Sequence, residues 1–80
     1  MPTVRVEFTI EPFEAGVPGP HVVAAVEAAR GHGAPVEVGP FATSALIAPS
    51  GAPALVQDVL RAALLNGATR VSLQVERVEP

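Results

Sequence analysis

The chain has 80 residues, of which 49% are hydrophobic and 16% charged, and its formal net charge is −3. A chain of this length folds around one core, so we expect a single domain over residues 1–80. The negative charge argues against nucleic acid as a partner. The sequence lacks cysteine, which excludes disulfides and thiolate metal sites, and it lacks the run of about 18 apolar residues that would span a membrane. We therefore expect a soluble, cytoplasmic protein that binds neither nucleic acid nor a membrane.

The first predicted element is a strand, β1, with strict alternation of apolar and polar residues. Its apolar positions are Val4, Val6, Phe8 and Ile10. A period of two is typical of a strand with one buried face. Pro12 ends this strand, and the segment "FEAGVPGP" that follows is a loop rich in helix-breaking residues.

A helix, α1, is predicted from about His21 to Arg30, because Pro20 suits the first turn of a helix. Its apolar stripe consists of Val22, Val26 and Ala29, and Gly31 and Gly33 follow as stop signals. The two histidines, His21 and His32, lie at opposite ends of this helix, and we expect both to be solvated.

Two short strands, a second helix and a last strand complete the pattern. Val36 and Val38 indicate β2, and Ala45 and Ile47 indicate β3. Helix α2 begins within the segment 49–53 and ends at Asn66-Gly67, where a left-handed glycine caps the last turn. The predicted apolar face of α2 is Val56, Val59, Leu60 and Ala63, and the alternating residues of β4 are Val71, Leu73 and Val75.

The element order β-α-β-β-α-β predicts an α+β, ferredoxin-like fold, with an antiparallel sheet in the order 4-1-3-2 and both helices on one face. The other face of the sheet then has no helix. Leu46 lies on this open face among polar side chains, so we expect the face to pack against a second copy of the chain. The predicted assembly is a homodimer or a homotetramer.

Three segments, "VEFTIEP", "VEVGPFATS" and "NGATRVSLQVE", resemble those of the small thiamine-binding proteins. These proteins are single ferredoxin-like domains, and their tandem relatives bind thiamine or its hydroxymethylpyrimidine part. The most specific element is the run E-x-G-P-x-x-T, which begins at Glu37 and ends at Thr43. Thr9 within β1 and the pattern Gly-x-x-Arg-Val, formed by Gly67, Arg70 and Val71, support the resemblance. The sequence departs from the family at Ala45-Leu46-Ile47, where members usually have Ile-Glu-Gly.

The resemblance implies that the chain binds thiamine or a related pyrimidine, with no catalysis and no cofactor. The predicted topology brings the end of β1, the Gly39-Pro40 corner and the start of β3 to the same end of the sheet. An aminopyrimidine requires an apolar surface and a row of hydrogen-bonding groups, and a thiazolium cation would be attracted by Glu37 or Glu11. The predicted ligand-binding residues are Thr9, Glu11, Glu37, Gly39, Pro40, Phe41, Thr43 and Ser44.

Each of these residues also has a purely structural interpretation. Gly39-Pro40 is equally typical of a plain turn, and hydroxyls such as Thr43 commonly satisfy hairpin backbone groups. Glu37 is placed to pair with Arg5 across the open face. Phe41 and Phe13 are also suited to closing the end of the core.

Catalytic patterns are absent from the sequence. The chain contains no lysine, so it has no phosphate-binding loop of the usual kind, and neither histidine lies beside a nucleophile. The sequence spacing typical of metal ligands is also absent, because neither histidine has a second potential ligand at such an interval. Two alternatives share the predicted topology: a dimeric ferredoxin-like enzyme and a regulatory module that senses a small molecule.

Overall fold

The computed structural model describes residues 2–13 and 16–78, so Glu14 and Ala15 of the predicted loop lie outside the described residues. Six elements follow one another along the chain. They are β1 (Val4–Glu11), α1 (Pro20–Arg30), β2 (Val36–Val38), β3 (Thr43–Ile47), α2 (Ala52–Leu65) and β4 (Arg70–Arg77). The four strands form one sheet in the order β2-β3-β1-β4, and every pairing is antiparallel. The predicted ferredoxin-like α+β fold is confirmed.

The sheet has one face under the helices and one face without them. Along β1 the apolar side chains are buried at every second position, as the sequence alternation predicts. The largest fully buried side chains are Phe8 and Val6 of β1 with Leu55 and Val59 of α2. Each such side chain contributes about 1.5–3 kcal/mol to stability when removed from water. The core therefore lies between β1 and the two helices.

The buried faces of the helices differ in part from the predicted ones. In α2 the buried residues are Ala52, Leu55, Val59 and Ala63, so the expectation that Leu60 belongs to this face is wrong. In α1 the buried face includes His21 and Ala25, and Val22 is only partly covered. The expectation that both histidines are solvated is also wrong. The exposed fraction of His21 is 4%, and the His32 side chain is 21% exposed with its Nε2 atom 2.7 Å from Oδ2 of Asp58. Neither helix is long and apolar enough to cross a lipid bilayer, in the part of the chain that the structure describes.

Both helices begin without a side-chain cap and end on glycine-containing turns. Pro20 occupies the first turn of α1, as the sequence predicts. At the end of α2, Gly67 has a φ of 101°, and the N–H of Ala68 donates to the carbonyl oxygen of Ala63 at 3.0 Å. This bond closes the last turn in the manner of a Schellman motif, so the predicted glycine cap is confirmed.

The open face carries the side chains that alternate with the core positions. Glu37, Ser44, Glu7 and Gln74 lie in one row across the four strands. Arg5 pairs with Glu76 of β4 at 2.8 Å, and not with Glu37 of β2 as one interpretation of the sequence had it. Leu46 lies on this face with 40% of its surface exposed.

Candidate functional site

A cleft of about 510 Å³ opens at the end of the sheet where β1 stops and the β2–β3 hairpin turns. One wall is the end of β1, a second is the hairpin, and a third is the loop that leads into α1. The lining includes Phe8, Thr9 and Ile10 of β1, the hairpin residues 38–43, and Phe13, Gly16, Pro18, Gly19 and Val22. Volumes of this size are common for small-molecule sites.

The tip of the β2–β3 hairpin is a tight turn made by Pro40 and Phe41. The N–H of Gly39 donates to the carbonyl oxygen of Ala42 at 2.8 Å and closes the turn. A Cβ atom on Gly39 would lie 2.9 Å from that same oxygen, so only glycine fits without a shift of the backbone. Glycine is therefore required here for close approach, since Gly39 is not among the described glycines that have a positive φ.

Two phenylalanine rings meet at the cleft. Phe41 projects from the hairpin tip with 74% of its surface exposed, and Phe13 lies on the facing loop with 52% exposed. Their ring centroids are 5.8 Å apart with an interplanar angle of 31°. This distance is typical of favourable aromatic pairs. The two rings therefore connect the hairpin to the loop, and they do not close the core as the structural interpretation of the sequence had it.

His21 fixes the loop that carries Phe13. Its Nε2–H donates to the carbonyl oxygen of Pro12 at 2.7 Å, because a carbonyl can only accept. The imidazole is buried within the first turn of α1, beside the cleft residues Gly19 and Val22. The hydrogen bond thus holds Pro12, and with it the start of the loop, against the helix.

Two threonines border the cleft on opposite faces of the sheet, since Thr9 alternates with the buried Phe8 and Ile10, whereas Thr43 is paired with Phe8. The Thr9 hydroxyl donates to the carbonyl oxygen of Phe41 at 3.2 Å, and this bond ties the hairpin tip to β1. The Thr43 side chain is buried on the helix side of the sheet, and its hydroxyl makes no hydrogen bond to any described residue. Thr43 therefore keeps a donor and an acceptor at the cleft wall.

The structure brings together five of the eight predicted site residues. Thr9, Gly39, Pro40, Phe41 and Thr43 all line the cleft. Strand alternation is the reason that others do not. Side chains of neighbouring strand residues point to opposite faces, so Glu37 and Ser44 lie across the sheet from Val38 and Thr43. The Thr9 side chain likewise lies on the open face, although the residue borders the cleft at the end of β1.

Glu37, Ser44 and Glu11 are the three predicted residues outside the cleft. Glu37 and Ser44 face the open side of the sheet, where they line a separate groove of about 320 Å³ with Arg5 and Leu46. Glu11 lies at the end of β1, with its Oε2 atom 4.0 Å from Nη1 of Arg70. The topological expectation of one site containing all eight side chains is therefore corrected to a cleft containing five.

The described lining of the cleft contains no ionisable side chain. Its polar groups are the Thr43 hydroxyl and backbone amides, and most of its remaining surface is aliphatic or aromatic. Such a surface accommodates a flat, uncharged ring with hydrogen-bonding groups along an edge.

Sequence reasoning missed several residues that shape this cleft. Val38 lines it because it alternates with Glu37 in β2. His21 had a recognisable signal, since His21, Ala25 and Ala29 recur at intervals of four along α1 and all three are buried. The position of Phe13 across from Phe41 had no local signal, because the loop conformation brings them together.

Comparisons with known proteins find a shared fold and no matching family. No family model matches the chain, and no curated protein matches it. A solved structure described as a domain of unknown function, DUF77, from Bacillus cereus is similar to it with a TM-score of 0.69. The similarity covers 98% of this chain and 76% of that chain at 20% sequence identity. The ferredoxin-like fold is therefore shared with a domain of unknown function.

Proposed function

We propose that the chain binds the aminopyrimidine ring of thiamine, or free hydroxymethylpyrimidine, in the cleft at the end of the sheet. The observation that carries this proposal is the composition of the cleft. It combines an aromatic pair, Phe13 and Phe41, with the hydroxyl of Thr43 and has no ionisable side chain in its described lining. The protein serves carriage, storage or sensing of the ligand, and no chemical step is proposed.

The Thr43 hydroxyl supplies a hydrogen bond of the kind that such a ring requires. A threonine hydroxyl has one donor and two acceptor positions. Thr43 uses none of them within the described residues, and Thr9 uses its donor on the Phe41 carbonyl. Thr43 is thus available to donate to a ring nitrogen, and Thr9 contributes by holding the hairpin tip that carries Phe41. The motif residues of the sequence resemblance, Gly39, Pro40 and Thr43, are those that shape this wall.

The positions of the carboxylates lead us to place the two halves of thiamine differently from the hypothesis based on the sequence. Glu37 lies on the other face of the sheet, so we do not assign it to the thiazolium cation. The neutral pyrimidine enters the cleft, and the cationic thiazolium remains at its mouth. There the exposed faces of Phe13 and Phe41 attract a cation through the ring quadrupole.

We further propose that the chain forms a homodimer or a homotetramer through the open face and acts in the cytoplasm. Leu46 supports the assembly, because 40% of this large apolar side chain is exposed on a face without helices. The cytoplasm is proposed from the lack of cysteine.

An amide chemical-shift titration with hydroxymethylpyrimidine tests the proposed site. We expect the shifts to be concentrated in Thr9, Phe41, Ala42 and Thr43, which surround the cleft. The amides of Ala54 and Leu55, near the start of α2 at the opposite end of the sheet, serve as the internal control because these residues do not line the cleft. Saturable shifts confined to the open face, at Glu37, Ser44 and Leu46, would place the ligand in the other groove and contradict the proposal.

A further inference from the structure

Strand β4 forms a long edge of the sheet. It has eight residues, Arg70–Arg77, and in the sheet order that the structure describes its neighbour is β1. The opposite edge is β2, which has only three residues. An unpaired strand edge presents a row of N–H and C=O groups that can pair with another strand. The β4 edge is long enough to do so.

The hydrogen-bond pattern identifies which residues of β4 face outward. The N–H of Val78 donates to the carbonyl oxygen of Thr3, and the register places residues 70, 72, 74 and 76 of β4 in phase with Val78 toward β1. Successive residues of an antiparallel strand direct their backbone groups to alternate sides. The N–H and C=O groups of Val71, Leu73 and Val75 therefore point to the outer edge.

The helix layer leaves room above this edge. Helix α1 packs on β1 and β2, and helix α2 packs on β1. As a result Val75 is 50% exposed, although it lies on the helix side of the sheet and is paired with the fully buried Val6. A strand added beside β4 would cover Val75 without meeting a helix of this chain.

We propose that β4 pairs antiparallel with the β4 strand of a second copy, across a two-fold axis at Leu73. In this register Val71 lies opposite the partner's Val75, and Ser72 lies opposite the partner's Gln74. The outward groups of three residues on each strand then form about six backbone hydrogen bonds. The result is one continuous eight-stranded sheet, built by a surface other than the open face and independent of the ligand site.

Charge complementarity selects this register over its neighbours. Arg70 lies opposite the partner's Glu76, and the symmetry of the pair repeats this contact. Both side chains are accessible, with 72% of Arg70 and 66% of Glu76 exposed. A shift of two residues in either direction replaces the ion pair, since Arg70 then lies opposite either Gln74 or Val78. A shift of one residue would place apolar side chains on the open face.

The proposed pairing also completes a row of alternating charges. Within one chain Arg5 contacts Glu76, and Arg70 lies near Glu11. Joining two copies at β4 gives the order Arg5, Glu76, the partner's Arg70, the partner's Glu11. Glu76 and the partner's Arg70 then each have opposite charges on both sides, which is the favourable arrangement on a sheet face.

Cysteine cross-linking tests the register directly, because the native chain contains no cysteine. Ser72 and the partner's Gln74 form a non-hydrogen-bonded pair, with Cα atoms about 4.5 Å apart, which suits a disulfide. Mixing Ser72→Cys with Gln74→Cys under mild oxidation is expected to give the mixed disulfide in several-fold excess over either homodimer. Glu7→Cys is the matched control, since Glu7 lies on the same face beside Gln74 but one strand inward.

The outcomes of the cross-linking decide the proposal. A mixed disulfide that exceeds the yield of Glu7→Cys mixed with Gln74→Cys supports the edge pairing. A yield no higher than that control, or a preference for either homodimer, would overturn the register. Stacked open faces or random encounters would give such a result, because positions 7, 72 and 74 all lie on the open face.

Sedimentation equilibrium provides an independent test by charge reversal. Arg70→Glu places two carboxylates opposite each other twice, so we expect the dissociation constant of this dimer to rise by at least about tenfold at low salt. Arg61→Glu makes the same change in net charge on the exposed side of α2 and should leave the dissociation constant unchanged. A wild-type chain that stays monomeric near millimolar concentration, or equal effects of the two substitutions, would contradict the proposal.

Discussion

Thr43 and Ser44 are adjacent hydroxyl residues with different surroundings. Thr43 is buried at the cleft wall, and Ser44 lies on the open face opposite Glu7 and Glu37. At the scale of single residues, this contrast gives the proposed ligand contact, Thr43, an adjacent hydroxyl that lies outside the cleft. It also gives a pair of substitutions that differ by one position in the chain and by one face of the sheet.

We predict that Thr43→Val weakens hydroxymethylpyrimidine binding by about 1–3 kcal/mol, since it keeps the side-chain shape and removes the hydroxyl. The free energy of unfolding should change little, because the hydroxyl has no hydrogen bond to lose among the described residues. Ser44→Ala is the control and should bind as the wild type does. Calorimetric titration and urea unfolding measure the two quantities. Equal losses of affinity in both variants would remove Thr43 from the site.

The elements of the fold differ in how they fix the cleft. The loop between β1 and α1 is held to the helix by His21, through its bond to the Pro12 carbonyl, and to the hairpin by the contact of Phe13 with Phe41. The hairpin itself is held by Gly39 and by the Thr9 hydroxyl. The cleft is therefore assembled from three segments that contact one another in the fold, and the hairpin is distant in sequence from the other two.

His21→Ala should lower the free energy of unfolding by about 1–3 kcal/mol, because it leaves the Pro12 carbonyl without its donor and empties a buried position. It should also weaken ligand binding by about tenfold through the freed loop. His21→Gln keeps a side-chain N–H and should recover part of both losses. Chemical denaturation and calorimetry separate the effects. Full affinity in His21→Ala, measured where the variant is folded, would show that the loop position does not matter to the site.

The end of α2 provides a prediction about the fold alone. Gly67 has a φ of 101°, a conformation that side-chain-bearing residues adopt only with strain. Gly67→Ala should therefore cost about 1–2 kcal/mol in unfolding free energy. Gly31 has a φ of −61° at the end of α1, so Gly31→Ala should be neutral or slightly stabilising. Equal destabilisation by both substitutions in urea melts would contradict the assignment of the cap.

The sequence predicts the elements better than it predicts the cleft. The alternation in β1 and the Asn66-Gly67 cap are local signals, and both predictions are confirmed. The predicted apolar face of α2 is rotated about the helix axis from the buried face. Val56 and Leu60 are as apolar as the buried Leu55, so only packing distinguishes them. The orientation of Glu37 follows from alternation with Val38, but the meeting of Phe13 with Phe41 depends on a loop with no periodicity.

At the scale of the whole molecule, the open face and the β4 edge are separate surfaces. Leu46 contributes to the first, and Val71, Leu73 and Val75 contribute backbone groups to the second. A chain that used both would assemble as a dimer of dimers, with paired edges within a sheet and stacked faces between sheets.

Leu46→Glu should weaken assembly through the open face, because it places a carboxylate in a buried contact. Light scattering of the variant is expected to give a smaller mass than that of the wild type at the same micromolar concentration. Leu65→Glu, at an exposed position on α2, is the control for added charge and should keep the wild-type mass. A wild-type mass of one chain would leave the open face without a partner.

The central claim is that the cleft, whose described lining has no ionisable side chain, holds an aminopyrimidine. Calorimetric titrations of the wild-type protein with hydroxymethylpyrimidine, thiamine and thiamine phosphate, run side by side at low and high salt, test it most directly. We predict saturable binding of hydroxymethylpyrimidine and thiamine at one ligand per chain, with an affinity for hydroxymethylpyrimidine that salt does not change, and no gain from the phosphate. If circular dichroism shows a folded protein and none of the three ligands gives a saturating isotherm, the claim is contradicted.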